Sequence, residues 1–324
     1  MATILVTGGA GYVGSHTCKA LAKAGHTPMT YDNLSRGHRE LVKWGPLEIG
    51  DIRDQTKVED ILKRYKPDAV IHFAAYIFAG ESVAQPQLYE DNNVGGAKSL
   101  LAAMAVTGVR KIVVSSTAAV YGMPPKSPIA ETEVCKPVNP YGETKLKMEK
   151  MLARESDLKW VALRYFNAAG ADPDGDTGEW HEPEDHLIPI MLDVALKLKD
   201  TMTINGTDYP TPDGTCVRDY VHVTDLADAH VRALKYLLDG KPSAAFNLGT
   251  SNGYSVKDVI ETGRMVTGLE IPAKLGPRRP GDAVSLVADS TKAKTELEWS
   301  PQFDLRAQIA HAWTWHQRLR RNFG

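Results

Sequence analysis

The chain has 324 residues, of which 43% are hydrophobic and 24% are charged, and its formal net charge is −2. This is the composition of a globular protein with one large domain or two coupled ones, and it offers no basic excess for nucleic acid or an anionic membrane. The longest apolar stretch, 69–80, has about half of the ~20 residues that a membrane-spanning helix needs. We therefore expect a soluble protein that binds neither nucleic acid nor a membrane.

The three cysteines, Cys18, Cys135 and Cys216, lie far apart in the sequence. Their number is odd and none belongs to a CxxC pair, so we expect neither a disulfide framework nor a zinc site built on them. The first residues lead directly into a strand-like run, without the basic and apolar segments of a secretory signal. These features predict a cytoplasmic protein with reduced thiols.

Short runs rich in β-branched residues alternate with helical patterns through the first half of the chain. The predicted strands are 3–7, 27–32, 47–51, 69–74, 111–116 and 158–166. The predicted helices are 12–24, 55–65, 93–107 and 140–154. Such alternation is typical of a parallel sheet that is covered by helices on both faces.

The pattern changes after residue 166. Residues 171–186 are rich in Asp, Glu, Gly and Pro and predict a polar loop, and the segments that follow mix short strands, turns and helices. The run 244–250 looks like one more strand, which returns to the main sheet. We predict a nucleotide-binding domain over residues 1–166, whose sheet also includes the strand at 244–250. The rest of 167–324 is predicted to form a smaller mixed α/β substrate domain.

A glycine-rich segment, TGGAGYVG at 7–14, follows the first strand and opens a helix. Gly8, Gly11 and Gly14 let the backbone approach a pyrophosphate, to which the helix N-terminus offers free N–H groups. Asp32 ends the next strand, where its carboxylate can accept hydrogen bonds from an adenosine ribose diol. This arrangement predicts a Rossmann-type, doubly wound sheet that binds NAD, because Asp32 repels the 2′-phosphate of NADP.

A tyrosine and a lysine share one face of the helix predicted at 140–154. Asn139 is a favourable N-cap, and Pro140 suits the first helical position. Tyr141 and Lys145 then lie one turn apart. A phenol has a pKa near ~10, which a neighbouring ammonium and a positively charged nicotinamide lower. Reaching a pKa of ~7 takes about 4 kcal/mol, after which Tyr141 can exchange a proton with a sugar hydroxyl.

The fifth predicted strand ends in a run of hydroxyls, SSTAAVYG at 115–122. Ligands of a parallel sheet gather at the carboxyl ends of its strands. The hydroxyls, Tyr141, Lys145 and the glycine-rich loop are therefore expected at one edge of the sheet. Together they predict a site for hydride transfer.

Three segments resemble the extended short-chain dehydrogenase/reductase family: TGGAGYVGSH at 7–16, STAAVYG at 116–122 and NPYGETK at 139–145. The similarity covers nearly the whole chain and is greatest to members that invert C4 of a UDP-sugar. It continues through the stretches 80–96, 163–175, 185–190, 213–230, 246–256 and 278–283.

The resemblance implies a role for each matching residue. Tyr141 is the acid/base, Lys145 holds the nicotinamide ribose, and Thr117 binds the reacting hydroxyl. The implied cofactor contacts are Gly8, Gly11, Tyr12, Val13, Gly14, Asp32, Asn33, Leu34, Ser35, Arg36, Gly37, Asp51, Ile52, Phe73, Ala74, Ala75, Tyr76, Ile77, Asn92, Thr117, Tyr141, Lys145 and Phe166. The implied substrate contacts are Thr117, Tyr141, Asn167, His186, Leu187, Thr203, Ile204, Asn205, Arg218, Arg279, Asp282 and Leu286.

The implied reaction is an epimerisation of a UDP-glucose or UDP-galactose substrate through a transient 4-keto sugar, with NAD regenerated in each cycle. The resemblance also implies a homodimer that forms through the helices at 93–107 and 140–154. Ala102, Ala103, Met148 and Met151 either serve that interface or line the core.

Other functions fit the sequence less well. Dehydratases and decarboxylases of the family carry an acid after the strand-five threonine, where this chain has Ala118 and Ala119. A binding module that only senses the dinucleotide has no need of Tyr141 and Lys145 together.

Two related activities stay open. A UDP-pentose 4-epimerase is compatible with the sequence, because the same chemistry needs no residue that is missing here. The resemblance also implies that the size of the side chain at Leu286 decides whether N-acetylated sugars fit, so a UDP-N-acetylhexosamine 4-epimerase is the other alternative.

Acids and histidines cluster in HEPEDH at 181–186. Such side chains in a loop are usually solvated, so no metal is predicted. His16 and His72 are interpreted as packing residues, and Trp313 and Trp315 as part of a C-terminal helix that packs on the body of the protein.

Overall fold

The structure is a computed structural model, and it describes residues 1–279 and 281–323. Its strands are β1 (Thr3–Thr7), β2 (Thr27–Asp32), β3 (Leu47–Ile49), β4 (Ala69–His72), β5 (Lys111–Thr117), β6 (Lys159–Tyr165), β7 (Asn167–Ala169), β8 (Met202–Asn205), β9 (Val217–Arg218), β10 (Tyr220–His222), β11 (Ala244–Leu248), β12 (Tyr254–Ser255), β13 (Ala273–Gly276) and β14 (Ser285–Leu286). Its α-helices are α1 (Tyr12–Lys23), α2 (Gln55–Tyr65), α3 (Ala79–Ala84), α4 (Pro86–Tyr89), α5 (Gly96–Thr107), α6 (Pro140–Leu152), α7 (Leu187–Ala195), α8 (Val223–Leu238), α9 (Val256–Thr267), α10 (Thr291–Glu296) and α11 (Leu305–Phe323). Short 3₁₀ turns occupy Arg39–Leu41 and Ala118–Tyr121, and a π-helical segment, Glu90–Gly95, leads into α5.

Seven parallel strands form the main sheet, in the order β11-β6-β5-β4-β1-β2-β3. This confirms the predicted Rossmann-type, doubly wound sheet. The strand predicted at 244–250 is β11, and it pairs with β6 so that Phe246 lies opposite Leu163.

Several predicted elements have different bounds in the structure, and two of these differences lie beside the cleft described below. The strand predicted at 69–74 ends at His72, where the chain leaves the sheet. The helix predicted at 93–107 begins earlier, as the π-helical segment Glu90–Gly95. Both changes occur where the chain forms the edge of the sheet at which the strands end.

Side chains of the main sheet alternate between two buried cores, one on each face. In β1, Ile4 and Val6 join the core that contains residues of α1 and α8, whereas Leu5 joins the core that contains residues of α2 and α5. All three side chains are fully buried. Because both faces are covered, the strands appear in the sequence as continuous apolar runs.

The second half of the chain adds small sheets and a separate core. β7 pairs with β10, β8 pairs with β13, and β9 lies between β12 and β14. A third core includes Met191 of α7 and Ile260 of α9. Helix α8 also belongs to the second half of the chain, but its Leu234 and Leu237 pack in the core of the main sheet. The domain boundary at residue 166 therefore stays a prediction. Among the described residues, no helix has both the length and the apolar character to cross a membrane.

A buried ammonium fastens the loop after β7 to α1. Lys19 Nζ donates to carboxylate oxygens of Asp172, Asp174 and Asp176 at 2.5, 2.9 and 2.8 Å. The side chains of Lys19 and Asp172 are 8% and 5% exposed. Although burial opposes the charged form, the three carboxylates raise the pKa of Lys19, so it is charged at neutral pH.

We expect Lys19→Met to lower the free energy of unfolding by about 3–5 kcal/mol, because the buried Asp172 carboxylate loses its partner. Urea denaturation at neutral pH measures the change. Lys23→Met is the matched control, since Lys23 is 68% exposed and lies 3.5 Å from Asp174, and its loss should cost less than about 1 kcal/mol. Equal effects of the two substitutions would contradict the importance given to the buried cluster.

His72, at the end of β4, is a buried neutral imidazole. Its Nδ1 lies 2.7 Å from Thr7 Oγ1, and 2% of the residue is exposed. Burial, and to a lesser degree the charge of Lys145, lowers the pKa of His72 to about 3. Its place in the sheet agrees with its interpretation as a packing residue.

We expect the folded protein to lose stability as the pH falls from ~6.5 towards about 3. Over this range His72 binds a proton in the unfolded chain but not in the folded chain. This difference at His72 lowers the free energy of unfolding by up to about 1.4 kcal/mol for each pH unit. His72→Gln should therefore reduce the slope of the unfolding free energy against pH by about one proton. Urea denaturation between pH ~6.5 and ~5 measures this slope, and an unchanged slope in the variant would refute the assignment.

Candidate active site

A large cleft opens along the edge of the main sheet at which the strands end. Including its open mouth and the solvent there, it holds about 1550 Å³ of empty space. The carboxyl ends of β1, β2, β4, β5 and β6 all lie at its wall. The cleft therefore lies where ligands of a parallel sheet bind.

The cleft brings together most of the predicted cofactor and catalytic residues. Those that line it are Gly8, Gly11, Tyr12, Val13, Gly14, Asp32, Asn33, Ser35, Arg36, Gly37, Ile52, Phe73, Ala74, Ala75, Tyr76, Ile77, Asn92, Thr117, Tyr141, Lys145 and Phe166. Of the predicted substrate residues, Asn167 and His186 line it as well.

Two predicted cofactor residues, Leu34 and Asp51, are not among the residues that line the cleft. Leu34 is held by its backbone, whose N–H donates to Asp32 Oδ1 at 2.8 Å. Asp51 pairs with Arg53 at 2.7 Å, and this pairing lowers the pKa of Asp51 to about 2. The neighbours of Asp51, Gly50 and Ile52, line the cleft in its place.

The glycine-rich loop has the geometry that a pyrophosphate needs. A Cβ on Gly8 would lie 2.6 Å from Ala74 N, and one on Gly14 would lie 2.2 Å from Gly8 O, so neither position accepts a side chain. Gly11 precedes α1, and the first turn of that helix carries neither a side-chain cap nor an acid. The start of α1 therefore presents free N–H groups and its positive dipole, which fits a bound dinucleotide phosphate.

Asp32 is fixed at the end of β2 by two backbone donors. Its Oδ2 accepts from Ala10 N at 3.0 Å and its Oδ1 accepts from Leu34 N at 2.8 Å. The residue is buried, and burial raises the pKa of its carboxyl. Each oxygen keeps a further lone pair, so the carboxylate fits the ribose diol that the sequence predicts.

The π-helical segment shapes the wall beside β4. Asn93 accepts from Tyr76 N at 2.8 Å, and it donates to Tyr76 O at 3.0 Å and to Thr144 Oγ1 at 3.2 Å. It thereby ties the loop after β4 to α6, while the preceding Asn92 lines the cleft. Asn93 is absent from the sequence prediction, because its role depends on this π turn.

Helix α6 sets Tyr141 and Lys145 at the end of β5, as its N-terminal pattern predicts. Asn139 Oδ1 accepts from Gly142 N at 2.8 Å and caps the helix. A Cβ on Gly142 would lie 2.6 Å from Ala119 O, so the helix packs directly on the turn that follows β5. This close approach requires glycine.

The three predicted catalytic side chains occupy a largely buried part of the cleft. Lys145 is 3% exposed, and its Nζ donates to Ser115 O at 2.8 Å and to Ser115 Oγ at 3.0 Å. Thr117 Oγ1 accepts from Ala119 N at 3.1 Å, which leaves its own proton for Tyr141 or a ligand. Burial lowers the pKa of Lys145 to about 7, although Glu149 opposes the change.

The expectation that Lys145 and a bound nicotinamide together lower the pKa of Tyr141 stays a prediction. Among the groups of the protein itself, burial raises the pKa of Tyr141 to about 12, and the hydroxyl of Thr117 opposes this rise. Burial also lowers the pKa of Lys145 to about 7, which weakens this residue as a cation beside the phenol at neutral pH.

A buried network of an ion pair and hydrogen bonds lies next to the predicted catalytic side chains. The sequence does not predict it. Arg164 donates to Glu149 Oε1 at 3.0 Å and to Oε2 at 2.6 Å, and Ser116 Oγ donates to Glu149 Oε1 at 2.5 Å. Arg164 Nη1 also donates to Tyr121 OH at 2.8 Å. Glu149 follows Lys145 by one helical turn, so the network fixes the part of α6 that carries the lysine.

The loop before α7 is only partly solvated, although the sequence predicts solvated acids and histidines for 181–186. The side chains of Glu179 and His181 are 10% exposed and that of Glu184 is 9% exposed. His186 Nδ1 lies 2.9 Å from Glu179 Oε1 and 2.8 Å from Glu184 Oε1. Although burial opposes its charge, the two carboxylates raise the pKa of His186 to about 10.

The predicted substrate residues that follow His186 in the chain are not among the residues that line the cleft, but several of them are joined to one another. Arg218 Nη2 donates to Asp282 Oδ1 at 2.6 Å. The side-chain oxygen of Asn205, in the amide orientation that its neighbours require, accepts from Arg279 Nε at 3.0 Å. The others are Leu187 in α7, Thr203 and Ile204 in β8, and Leu286 in β14.

Several residues that line the cleft are missing from the sequence prediction. They are Tyr31, Gly50, Phe78, Ser115, Ser116, Tyr165, Ala168, Glu179 and His181. Ser115 and Ser116 belong to the run of hydroxyls that is expected at this edge, although only Thr117 of that run has a predicted role. Tyr165 stands at the end of β6, where the rule that ligands gather at strand ends could have found it. His181 carries no such signal, because its burial depends on ring contacts with Tyr12 and Phe78.

Comparison with known proteins gives the family. The model of the NAD dependent epimerase/dehydratase family matches residues 4–249. The chain is 52% identical to UDP-glucose 4-epimerase of Rhizobium meliloti (strain 1021), over 97% of each chain. It resembles the crystal structure of UDP-glucose 4-epimerase from Brucella ovis in complex with NAD, with 46% identity, a TM-score of 0.95 and coverage of 97% of this chain and 98% of that chain.

A second solved structure, UDP-glucose 4-epimerase from Bifidobacterium longum in complex with NAD+ and UDP, is 37% identical. Its TM-score is 0.94, and the match covers 99% of this chain and 100% of that chain. These similarities confirm the resemblance seen in the glycine-rich, hydroxyl and tyrosine–lysine segments. The chain belongs to the NAD dependent epimerase/dehydratase family.

Proposed function

We propose that this protein catalyses NAD-dependent inversion at C4 of a UDP-sugar and interconverts UDP-glucose and UDP-galactose. The observation that carries the proposal is that Thr117, Tyr141 and Lys145 share one cleft with the glycine-rich loop. Relatives of high identity are UDP-glucose 4-epimerases, which favours this pair of hexoses over the pentose and N-acetylhexosamine alternatives.

NAD, when bound, accepts a hydride from C4 of the sugar and returns it, and its oxidised ring carries a positive charge. Tyr141 takes the proton of the C4 hydroxyl and gives it back. Thr117 orients that hydroxyl, since its own oxygen is fixed by Ala119 N. Because burial raises the pKa of Tyr141 to about 12, the phenol needs a positive charge beside it before it can lose a proton.

The uridine diphosphate is assigned to the linked residues of the second half. The guanidinium groups of Arg218 and Arg279 can donate in pairs to a diphosphate, and Asp282 can accept from ribose hydroxyls. The ion pair of Arg218 with Asp282 and the hydrogen bond of Arg279 with Asn205 orient these groups. A firm hold on the nucleotide leaves the hexose free to turn and present either face of C4 to the cofactor.

The remaining sequence predictions, which are a homodimer, a place in galactose metabolism and a cytoplasmic location, are part of this proposal. The dimer would form through α5 and α6. Ala103 and Met148 lie in the core of the main sheet, at 0% and 3% exposure, so they cannot serve that interface. Ala102 and Met151 are half-buried and are available to it.

We expect Tyr141→Phe to lower kcat by about 10²–10⁴-fold, because the variant loses the group that moves the proton. The affinity for UDP should be nearly unchanged, since the nucleotide is held by other residues. Conversion of UDP-galactose and calorimetric titration with UDP measure the two quantities. Tyr65→Phe is the control, because Tyr65 lies in α2 and bonds to Glu48, away from the cleft. Near-normal turnover by Tyr141→Phe would overturn the assigned role.

Leu286 lies between the two parts of the substrate site. It stands opposite Arg218 in the pairing of β14 with β9, and it packs with Phe166 against the cluster that contains Ala118. A side chain in this position limits the space beside the end of β5. It therefore supports the proposed preference for hexoses without an N-acetyl group.

We expect kcat/KM to be higher for UDP-glucose and UDP-galactose than for their N-acetylated counterparts. Leu286→Ala should reduce this preference by about 10-fold or more, because a shorter side chain makes room for the acetyl group. A panel of UDP-sugars with product analysis measures the ratio, and Leu275→Ala, at a side chain that is 70% exposed, is the control. Equal values for both classes in the unmodified protein would count against the role of Leu286.

A further inference from the structure

Four side chains of the loop before α7 converge on one point. Glu179, His181, Glu184 and His186 each direct one ligand atom to it, and these atoms lie within 4.8 Å of one another. His186 Nδ1 lies 2.9 Å from Glu179 Oε1 and 2.8 Å from Glu184 Oε1. His181 Nδ1 lies 3.2 Å from Glu179 Oε1 and 3.5 Å from Glu184 Oε2.

The separations match those of a tetrahedral metal site. Zn²⁺ binds imidazole nitrogens and carboxylate oxygens at ~2.0–2.2 Å, which places neighbouring ligand atoms of a tetrahedron about 3.3 Å apart. The four nitrogen–oxygen distances in the loop lie between 2.8 and 3.5 Å, and they involve one oxygen of Glu179 and both oxygens of Glu184. One ligand atom from each of the four residues lies within 4.8 Å of the others, so adjustment of the side chains would let all four residues share one ion.

An unpartnered ring nitrogen gives independent support for a ligand at this point. His181 Nδ1 is buried and forms no hydrogen bond, although it faces both carboxylates. Its side chain is nine-tenths buried, at 10% exposure. A buried polar atom without a partner costs about 1–3 kcal/mol, and coordination of a metal ion would remove that cost.

The ligand set suits Zn²⁺ in charge and in type. Two carboxylates balance the charge of a divalent ion, and two imidazoles favour zinc over magnesium or calcium. Glu184 Oε1 also accepts from Asp185 N at 2.9 Å and from His186 N at 2.8 Å, which fixes its orientation as outer-shell donors do in metal sites. Four protein ligands leave no open position, so the ion would be structural.

The other acidic cluster of the same loop is different. Asp172, Asp174 and Asp176 surround the ammonium of Lys19, which occupies the place that a cation would take. Only the cluster with the two histidines lacks such a residue at its centre, among the residues that the structure describes.

We propose that Glu179, His181, Glu184 and His186 form a structural Zn²⁺ site in the wall of the cleft. This reverses the prediction, made from loop composition, that 181–186 binds no metal, and it does not depend on the proposed function. His186 would bind the ion through Nδ1. Its other ring nitrogen, Nε2, would then be available to form a hydrogen bond with a ligand in the cleft. The ion would hold the loop against Phe78, whose ring lies 5.4 Å from that of His186.

The test is titration of the metal-free protein with Zn²⁺. Protein treated with a chelator and dialysed should bind one Zn²⁺ per chain by calorimetry, and its Tm should rise on binding. Co²⁺ in the same site should give the intense visible absorption of a tetrahedral complex. His181→Gln should weaken Zn²⁺ binding by at least about 100-fold, since loss of a ligand costs more than the 10–100-fold of an outer-shell change.

Asp185→Asn is the matched control, because this acid of the same loop is 52% exposed and lies outside the cluster. It should leave Zn²⁺ binding unchanged. Glu184→Gln, which keeps an acceptor for the backbone donors, should also weaken binding and serves if His181→Gln does not fold. Absence of saturable Zn²⁺ binding to the unmodified protein would overturn the proposal. So would binding that both cluster substitutions leave intact.

Discussion

The burial of Lys145 at the end of β5 is the constraint on which the chemistry of the cleft depends. The ammonium of Lys145 donates to the carbonyl and hydroxyl of Ser115. Burial lowers the pKa of Lys145 to about 7, although Glu149 opposes the change, and burial raises the pKa of Tyr141 to about 12. We therefore expect the positive charge of a bound nicotinamide to contribute to making the phenol acidic. In the proposed mechanism, proton transfer by Tyr141 is thus coupled to occupancy of the cleft by the oxidised dinucleotide.

The parts of this design that depend on neighbours in sequence could be predicted. Gly14 is required by contacts within the first loop, and Asn139 caps a helix that begins one residue later. The strands of the main sheet are buried on both faces, so they appear as apolar runs whose number and order of occurrence fix the class of fold. Local rules are sufficient for such features.

The parts that depend on distant pairings could not be predicted. Glu149 and Arg164 belong to different elements, and nothing in the residues around them marks them as partners. The pKa of Tyr141 shows the same limit, because spacing in a helix gives the distance between two groups but not the loss of water around them. The composition of 171–186 indicates solvation, whereas contacts with α1 and the cleft wall bury Asp172, Glu179, His181 and Glu184.

The loop before α7 shows why charged side chains form its part of the cleft wall, beside the apolar residues that other elements contribute. A nucleotide in the cleft needs hydrogen-bond donors and acceptors in the cleft wall. A loop of apolar side chains would not provide them. A loop that is fastened by Lys19 at one end and by paired carboxylates and imidazoles at the other keeps its polar atoms at the wall. Burying these charges adds little to the free energy of unfolding. It nevertheless permits few alternative conformations of the loop, because every alternative conformation would leave a buried charge without its partner. The loop is therefore held in one conformation, and this rigidity serves a site that must orient a sugar nucleotide beside its cofactor.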